Sequence, residues 1–125
     1  MKVIIDTTVF LAECLLPTQK YPKLFRKIVS GHTLVIPERQ IDEIRAIMEE
    51  FFPEEGDTVE LFLAGFSYEK AEDPGERSKE YPFLAEARNS GVEEIITLAP
   101  DLAGTVTEGI RFTDPDSFLD GKDNE

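Results

Sequence analysis

With Cys14 as its only cysteine, the chain has no intramolecular disulfide and no cysteine metal cage, and apolar neighbours make that thiol read as a small core filler. His32, the only histidine, follows Gly31 and precedes an apolar run, so it reads as a turn residue rather than a ligand. Basic residues are scarce, 13 against 26 acids, for a formal charge of −13. Affinity for nucleic acid comes largely from Lys and Arg displacing phosphate counterions, so a polyanionic partner needs a local basic patch or a bridging metal. No glycine-rich phosphate loop is present, which argues against nucleotide binding. Long apolar runs are missing too: Val9 to Leu16 is interrupted by Glu13 and falls far short of the ~20 residues that cross a bilayer. Lys2 followed by Asp6 inside the apolar run is unlike a secretory signal. The expectation is a cytoplasmic protein with no membrane span.

The 125 residues suffice for one domain with a real core, and 41% hydrophobic with 31% charged residues describes a soluble globular chain. We expect that domain over residues 1–119, with a flexible acidic tail at 120–125. Lys2 to Ile5 reads as a strand, and Asp6, Thr7 and Thr8 can cap the helix that follows through Leu16 and stops near Pro17. Tyr21, Leu24, Phe25, Ile28 and Val29 repeat at helical spacing up to a C-cap at Gly31. Thr33 to Ile36 is a second strand. Pro37 then fits the first position of a helix carrying Ile41, Ile44, Ile47, Met48 and Phe51, which ends at Pro53. Val59 to Ala64 is a short helix, Phe66 to Tyr68 a third strand, and Ala71 to Lys79 a loop. A helix from Glu80 to before Gly91 leads into a strand at Glu94 to Leu98. Ile110 to Phe112 is a last strand, and Pro115 to Leu119 a final helical turn. Helices alternating with short apolar strands imply an α/β fold, a central parallel sheet flanked by helices in a three-layer sandwich.

Ligands of such sheets gather beyond the carboxyl ends of the strands. Magnesium and manganese take hard oxygen ligands, and phosphodiester hydrolysis needs charge neutralisation and an activated water, so a few carboxylates suffice. Acids at element ends with apolar surroundings are Asp6, Glu43, Glu80 and Asp101. Asp6 has a competing role as a helix N-cap, and both roles can coexist. Glu43, between Ile41 and Ile44, should border the core. Lys20, Lys23, Arg26 and Lys27 are the best local patch for an RNA backbone, although alternation with core positions is also what a solvated helix face shows. Arg39 and Arg45 flank Glu43 and are placed to pair with nearby acids.

KVIIDTTVFLAECLL, from Lys2 to Leu16, resembles the opening of the PIN-domain nucleases, where a strand ends in Asp-Thr-Asn or Asp-Thr-Ser and the Asp is a metal ligand. LVIPERQIDEIRAIM, from Leu34 to Met48, resembles the family's strand and helix bearing a second acid, here Glu43. EYPFLAEARNSGVEEIITLAPDL, from Glu80 to Leu102, resembles the stretch in which an acid opens a helix and a later strand runs into Thr-Gly-Asp-x-Asp-Leu. IRFTDPDSFL, from Ile110 to Leu119, resembles the terminal strand and Pro-x-x-Phe-Leu of the toxin-like subgroup. The resemblance implies a PIN-like fold and a metal-dependent endoribonuclease. Asp6, Glu43, Glu80 and Asp101 would be catalytic and hold Mg2+ or Mn2+, with Thr7, Thr8 and Thr97 positioning substrate. It also implies RNA as substrate, a cognate antitoxin as partner and a homodimer.

The departures matter as much. Thr8 stands where the family has Asn or Ser, Glu80 replaces an Asp, and Leu98 and Ala99 replace Gly and Asp, removing one oxygen donor. Other phosphate-handling folds fit less well: a haloacid-dehalogenase phosphatase needs a second Asp where Thr8 stands, and a phosphorelay receiver needs an acidic pair and a late Lys that find no place. Two expectations follow, a metal-dependent ribonuclease and a catalytically degenerate PIN-like binding or assembly module.

Overall fold

The computed structural model describes residues 1–15 and 20–120. The helix stop expected at Pro17, the tail at 121–125 and the side chains of Cys14, Lys20 and Tyr21 lie outside the described residues. Strands β1 (Lys2–Ile5), β2 (Thr33–Pro37), β3 (Glu69–Ala71), β4 (Glu94–Ile96), β5 (Val106–Thr107) and β6 (Ile110–Thr113) form one sheet in the order β3-β2-β1-β4-β6-β5. All neighbours run parallel except β5, which pairs antiparallel with β6. The middle of the sheet is made of the most continuously apolar segments, as a sheet covered on both faces requires.

Alternation along the strands divides the core in two. Val3, Ile5, Leu34, Ile36 and Ile96 pack on one face beneath α1 (Thr7–Leu15), α2 (Lys20–Gly31), α3 (Glu38–Phe51), α4 (Gly56–Gly65) and α6 (Pro115–Leu119). Rings from three of these segments meet there, with Phe62 4.7 Å from Phe10 and 4.8 Å from both Phe25 and Phe66. Ile4, Val35, Ile95 and Phe112 face the other way, against Phe83 and against Leu84 and Ala87 of α5 (Leu84–Ser90). The fold is therefore α/β with helices on both faces, and the α5 layer is the thinner one. No helix among the described residues is long and apolar enough to cross a membrane.

Several boundaries differ from those expected, each for a local reason. Pro37 ends β2 instead of opening α3: it pairs in register with Ala71, and its extended φ of −61° and ψ of 138° makes it the residue before the helix. The third strand falls at Glu69–Ala71 rather than Phe66 to Tyr68; it is an edge strand with two exposed residues, so it carries little apolar signal. The helix expected from Glu80 begins at Leu84, because Ser78 Oγ accepts from the backbone N–H of Glu80 and of Tyr81 and holds that stretch in a turn. Strand β4 stops at Ile96, not Leu98. Strand β5 was not anticipated; it is joined to β6 by Glu108 and Gly109, both at positive φ (51° and 80°), the geometry of a tight two-residue hairpin.

Candidate functional site

Following the sheet from β1, one neighbour, β2, precedes β4 in sequence and lies on one side, while β4 lies on the other. Chain connections thus diverge at the β1–β4 junction, where ligands of parallel α/β sheets settle. Asp6 sits at this point. Its backbone N–H donates to Ile96 O at 2.9 Å, and its side chain is almost fully buried at 6% exposure. Oδ1 accepts from Thr8 Oγ1 at 2.6 Å and from the Val9 N–H at 3.2 Å, so the N-cap role expected of Asp6 is realised. Oδ2 accepts from Thr97 Oγ1, at the end of β4, and that hydroxyl accepts in turn from the Ala99 N–H at 3.0 Å. A carboxylate offers about four acceptor sites; three of those on Asp6 are taken by protein donors.

Beside Asp6 opens a cavity of about 370 Å³ lined by Thr7, Thr8, Arg39, Glu43, Arg77, Ser78, Pro82 and Phe83 as well. Glu43 reaches it from α3, but not from the core border expected for it: its side chain is 46% exposed. It accepts from Thr7 Oγ1 and from Arg39 Nη1, both at a long 3.4 Å.

Arg39 dominates the cavity. Its Nε donates to Glu86 Oε2 at 2.5 Å and its Nη2 to Glu86 Oε1 at 3.3 Å, and Glu86 is a wholly buried acid from α5. The guanidinium lies 4.4 Å from the centroid of the Phe83 ring. Phe83 itself adopts a left-handed conformation, φ 60° and ψ 22°, which costs a residue with a Cβ about 1–2 kcal/mol. A second guanidinium, Arg77, is held by Asp73 through two 2.9 Å bonds. Those bonds and the Gly75 N–H hold the Asp73 carboxyl down at about 2. Bidentate pairing of this kind fixes a guanidinium's orientation as well as its position.

The expected quartet of acids is not assembled. Asp6 and Glu43 share the cavity. Glu80 lines a separate depression with Glu76, Arg88 and Glu108, because the Ser78 turn carries it away before α5 begins. Asp101 is exposed in the turn after β4 and does not line the Asp6 cavity. No group of three or more His, Cys, Asp or Glu placed to hold a metal occurs among the described residues. As arranged, the donors do not fit a divalent cation. The Asp6 oxygens are bonded to hydroxyls and an amide, and two guanidinium groups line the same space as Glu43.

The basic face expected on α2 is also partly committed elsewhere. Lys27 donates to the Phe118 carbonyl and lies 5.0 Å over that ring, while Arg26 acts electrostatically on Glu13. Lys23 and Arg26 are exposed, and none of these residues lines the Asp6 cavity. Of the cations expected to pair with acids, Arg45 does so with Glu60 through two 2.8 Å bonds.

Sequence reasoning missed Glu86, Phe83 and Arg77. A signal existed for Glu86. It lies three residues after Phe83 and one before Ala87, on the apolar stripe of its helix, where an acid is out of place unless a cation meets it. Comparison with protein-family models, curated proteins and solved structures finds no match to this chain.

Proposed function

We propose that this chain is a PIN-like domain in which an internal arginine stands where a divalent cation would be needed, and that it serves as a protein-binding or assembly module rather than a hydrolase. The reading rests on the order of the PIN-like segments, with an acid at the end of β1 and Thr97 at the end of β4. The observation that carries it is the position of Arg39. Its guanidinium is fixed by the buried Glu86, stacked on Phe83 and within reach of Glu43, so the positive charge that would balance these carboxylates is already supplied by the chain. The formal charge of −13 opposes an RNA backbone as well. Phe51, 63% exposed at the end of α3, offers apolar surface to a protein partner.

A second reading is favoured by one observation, the sharing of a single cavity by Asp6 and Glu43 at the divergence point of the sheet. In it the chain is a Mg2+- or Mn2+-dependent endoribonuclease, the toxin of a toxin-antitoxin pair, and Arg39 gives way to the ion. One experiment separates the two. Wild type and Asp6→Asn are purified identically and compared for cleavage of a mixed-sequence single-stranded RNA and for thermal unfolding, with Mn2+, Mg2+ or excess chelator. A site-bound ion at ten times its Kd would add about 1.4 kcal/mol of stability. The module reading expects neither cleavage nor stabilisation that depends on Asp6. Metal-dependent cutting that disappears in Asp6→Asn would replace it with the nuclease reading.

A further inference from the structure

On the α1–α2 side of the sheet, at the opposite edge from β3, lies a cavity of about 300 Å³ that the Asp6 site does not touch. The parallel register of β4 and β6 sets Glu94 beside Arg111 and Ile96 beside Thr113, and strand alternation turns all four side chains to the same face. Ile96 completes the core there, whereas Glu94, Arg111 and Thr113 line the cavity together with Ala103, Phe118 and Asp114, whose carboxylate oxygens accept from the Ser117 N–H and hydroxyl.

Two polar groups in this cavity lack partners. Glu94 is 3% exposed and forms no hydrogen bond or ion pair among the described residues, and its carboxylate oxygens are reached only through the cavity that it lines. Thr113 Oγ1 is buried and equally unpartnered. A buried charge without a partner is expensive, and buried polar groups in folded proteins are nearly always satisfied. The nearest opposite charge by register is Arg111, one strand away. The two are cross-strand neighbours and make no salt bridge, and the Arg111 side chain stays exposed at the rim. An anion inside, a cation at the rim and a gap between them match a ligand that carries both charges.

We propose that this cavity binds a small zwitterion of the α-amino acid type, its ammonium against Glu94 and Thr113, its carboxylate against Arg111, and its side chain along Ala103 and Phe118. At roughly 30 Å³ per water-sized atom group the space suits a ligand of about ten non-hydrogen atoms. A plain amine would leave Arg111 unanswered, and a plain carboxylate would meet Glu94 and Asp114, so a ligand carrying both charges uses the cavity most fully.

The test uses the whole chain, isotope-labelled for NMR, titrated with each standard amino acid to about 10 mM, a range that detects millimolar affinity. Leucine is compared with its amine (isopentylamine) and its acid (4-methylpentanoate) analogues. Saturable shifts of the Gly104, Thr113 and Ser117 amides are expected for one or more amino acids. They should be lost in Glu94→Gln, weakened about tenfold or more in Arg111→Met, and absent with either single-charge analogue. Arg111 is exposed and Glu94→Gln is nearly isosteric, so both variants should keep the dispersed spectrum of the folded chain. No saturable shift with any amino acid, binding indifferent to both substitutions, or equal binding of the amine alone would each overturn the proposal. The result is independent of whether the Asp6 cavity binds metal.

Discussion

Replacing Arg39 by Met removes the cation that faces Glu86 and lies over the Phe83 ring, while keeping an aliphatic side chain of similar length. The Glu86 side chain is wholly inaccessible, and Arg39 supplies the hydrogen bonds to both of its oxygens. Breaking a buried pair by deleting one partner strands the other charge and costs about 3–5 kcal/mol. Arg39 is 19% exposed, so water can approach from the cavity side, and the lower end, about 3 kcal/mol, applies. For a domain of this size that is a fall in Tm of about 10–15 °C. Replacing both partners removes the stranded charge, and exchange of a buried ion pair for apolar groups is commonly near neutral. The double variant Arg39→Met with Glu86→Leu should therefore lie within about 1 kcal/mol of wild type. Urea unfolding followed by circular dichroism, on wild type, both single variants and the double variant, closes the cycle. A loss below about 1 kcal/mol for Arg39→Met, or a double variant no better than the single one, would refute the view that this arginine neutralises a buried carboxylate.

Glu13 gives a pH-dependent test. Burial pushes its carboxyl up to about 7, against a smaller downward pull from Arg26, and its Oε2 has no partner among the described residues. Because the folded state holds the proton more tightly, stability falls as pH rises from about 4.3 through 7. The gap corresponds to about 3.5 kcal/mol, which solvent screening of a half-buried group reduces to about 1–2. Glu13→Gln should thus stabilise the chain by that amount near pH 8 and by nothing near pH 4; equal effects at both pH values would sink the assignment. Thr97→Val removes the hydroxyl that donates to Asp6 and accepts from Ala99, and should cost about 1–3 kcal/mol in urea unfolding, with a cost near zero showing that Asp6 does not depend on it. In a carboxyl-carbon NMR titration Asp73 should stay ionised to about pH 2 in wild type and return toward the ordinary value near 3.9 in Arg77→Ala; an unchanged midpoint would remove Arg77 as the cause.

What was legible in the sequence was what local pattern encodes. The apolar runs at Val3 to Ile5 and Leu34 to Ile36, and the spacing of Ile41, Ile44 and Met48, mark buried strands and a helix face, and they are buried. Asp6 stood out as the first polar residue after a buried strand, whereas Thr97 is singled out only by the family resemblance, and the sheet brings the two into contact. Less legible were elements stabilised on one side only. Edge strands β3 and β5 are mostly exposed, so no alternation betrays them. The start of α5 is set by Ser78 and by the left-handed Phe83, a conformation that no pattern of apolar residues announces. Pairings across long separations were the least visible. Arg39 and Glu86 are 47 residues apart, and an acid on a helix looks like solvated charge until its partner is placed. Glu94 escaped notice for the same reason, as a polar residue next to an apolar run gives no hint that it is enclosed.

The junction between β1 and β4 bears on how the molecule is assembled during synthesis. β1 and β2 can pair once about the first 37 residues are available, and β3 joins them by Ala71. The other flank of β1 has to wait for β4, whose register partners lie about 91 residues further on. Until Glu94–Ile96 has emerged, the backbone of Val3 to Ile5 presents an open, apolar edge, the type of template onto which strands of other chains add. Translation slowed between Ala71 and Glu94 should therefore lower the soluble yield of this chain.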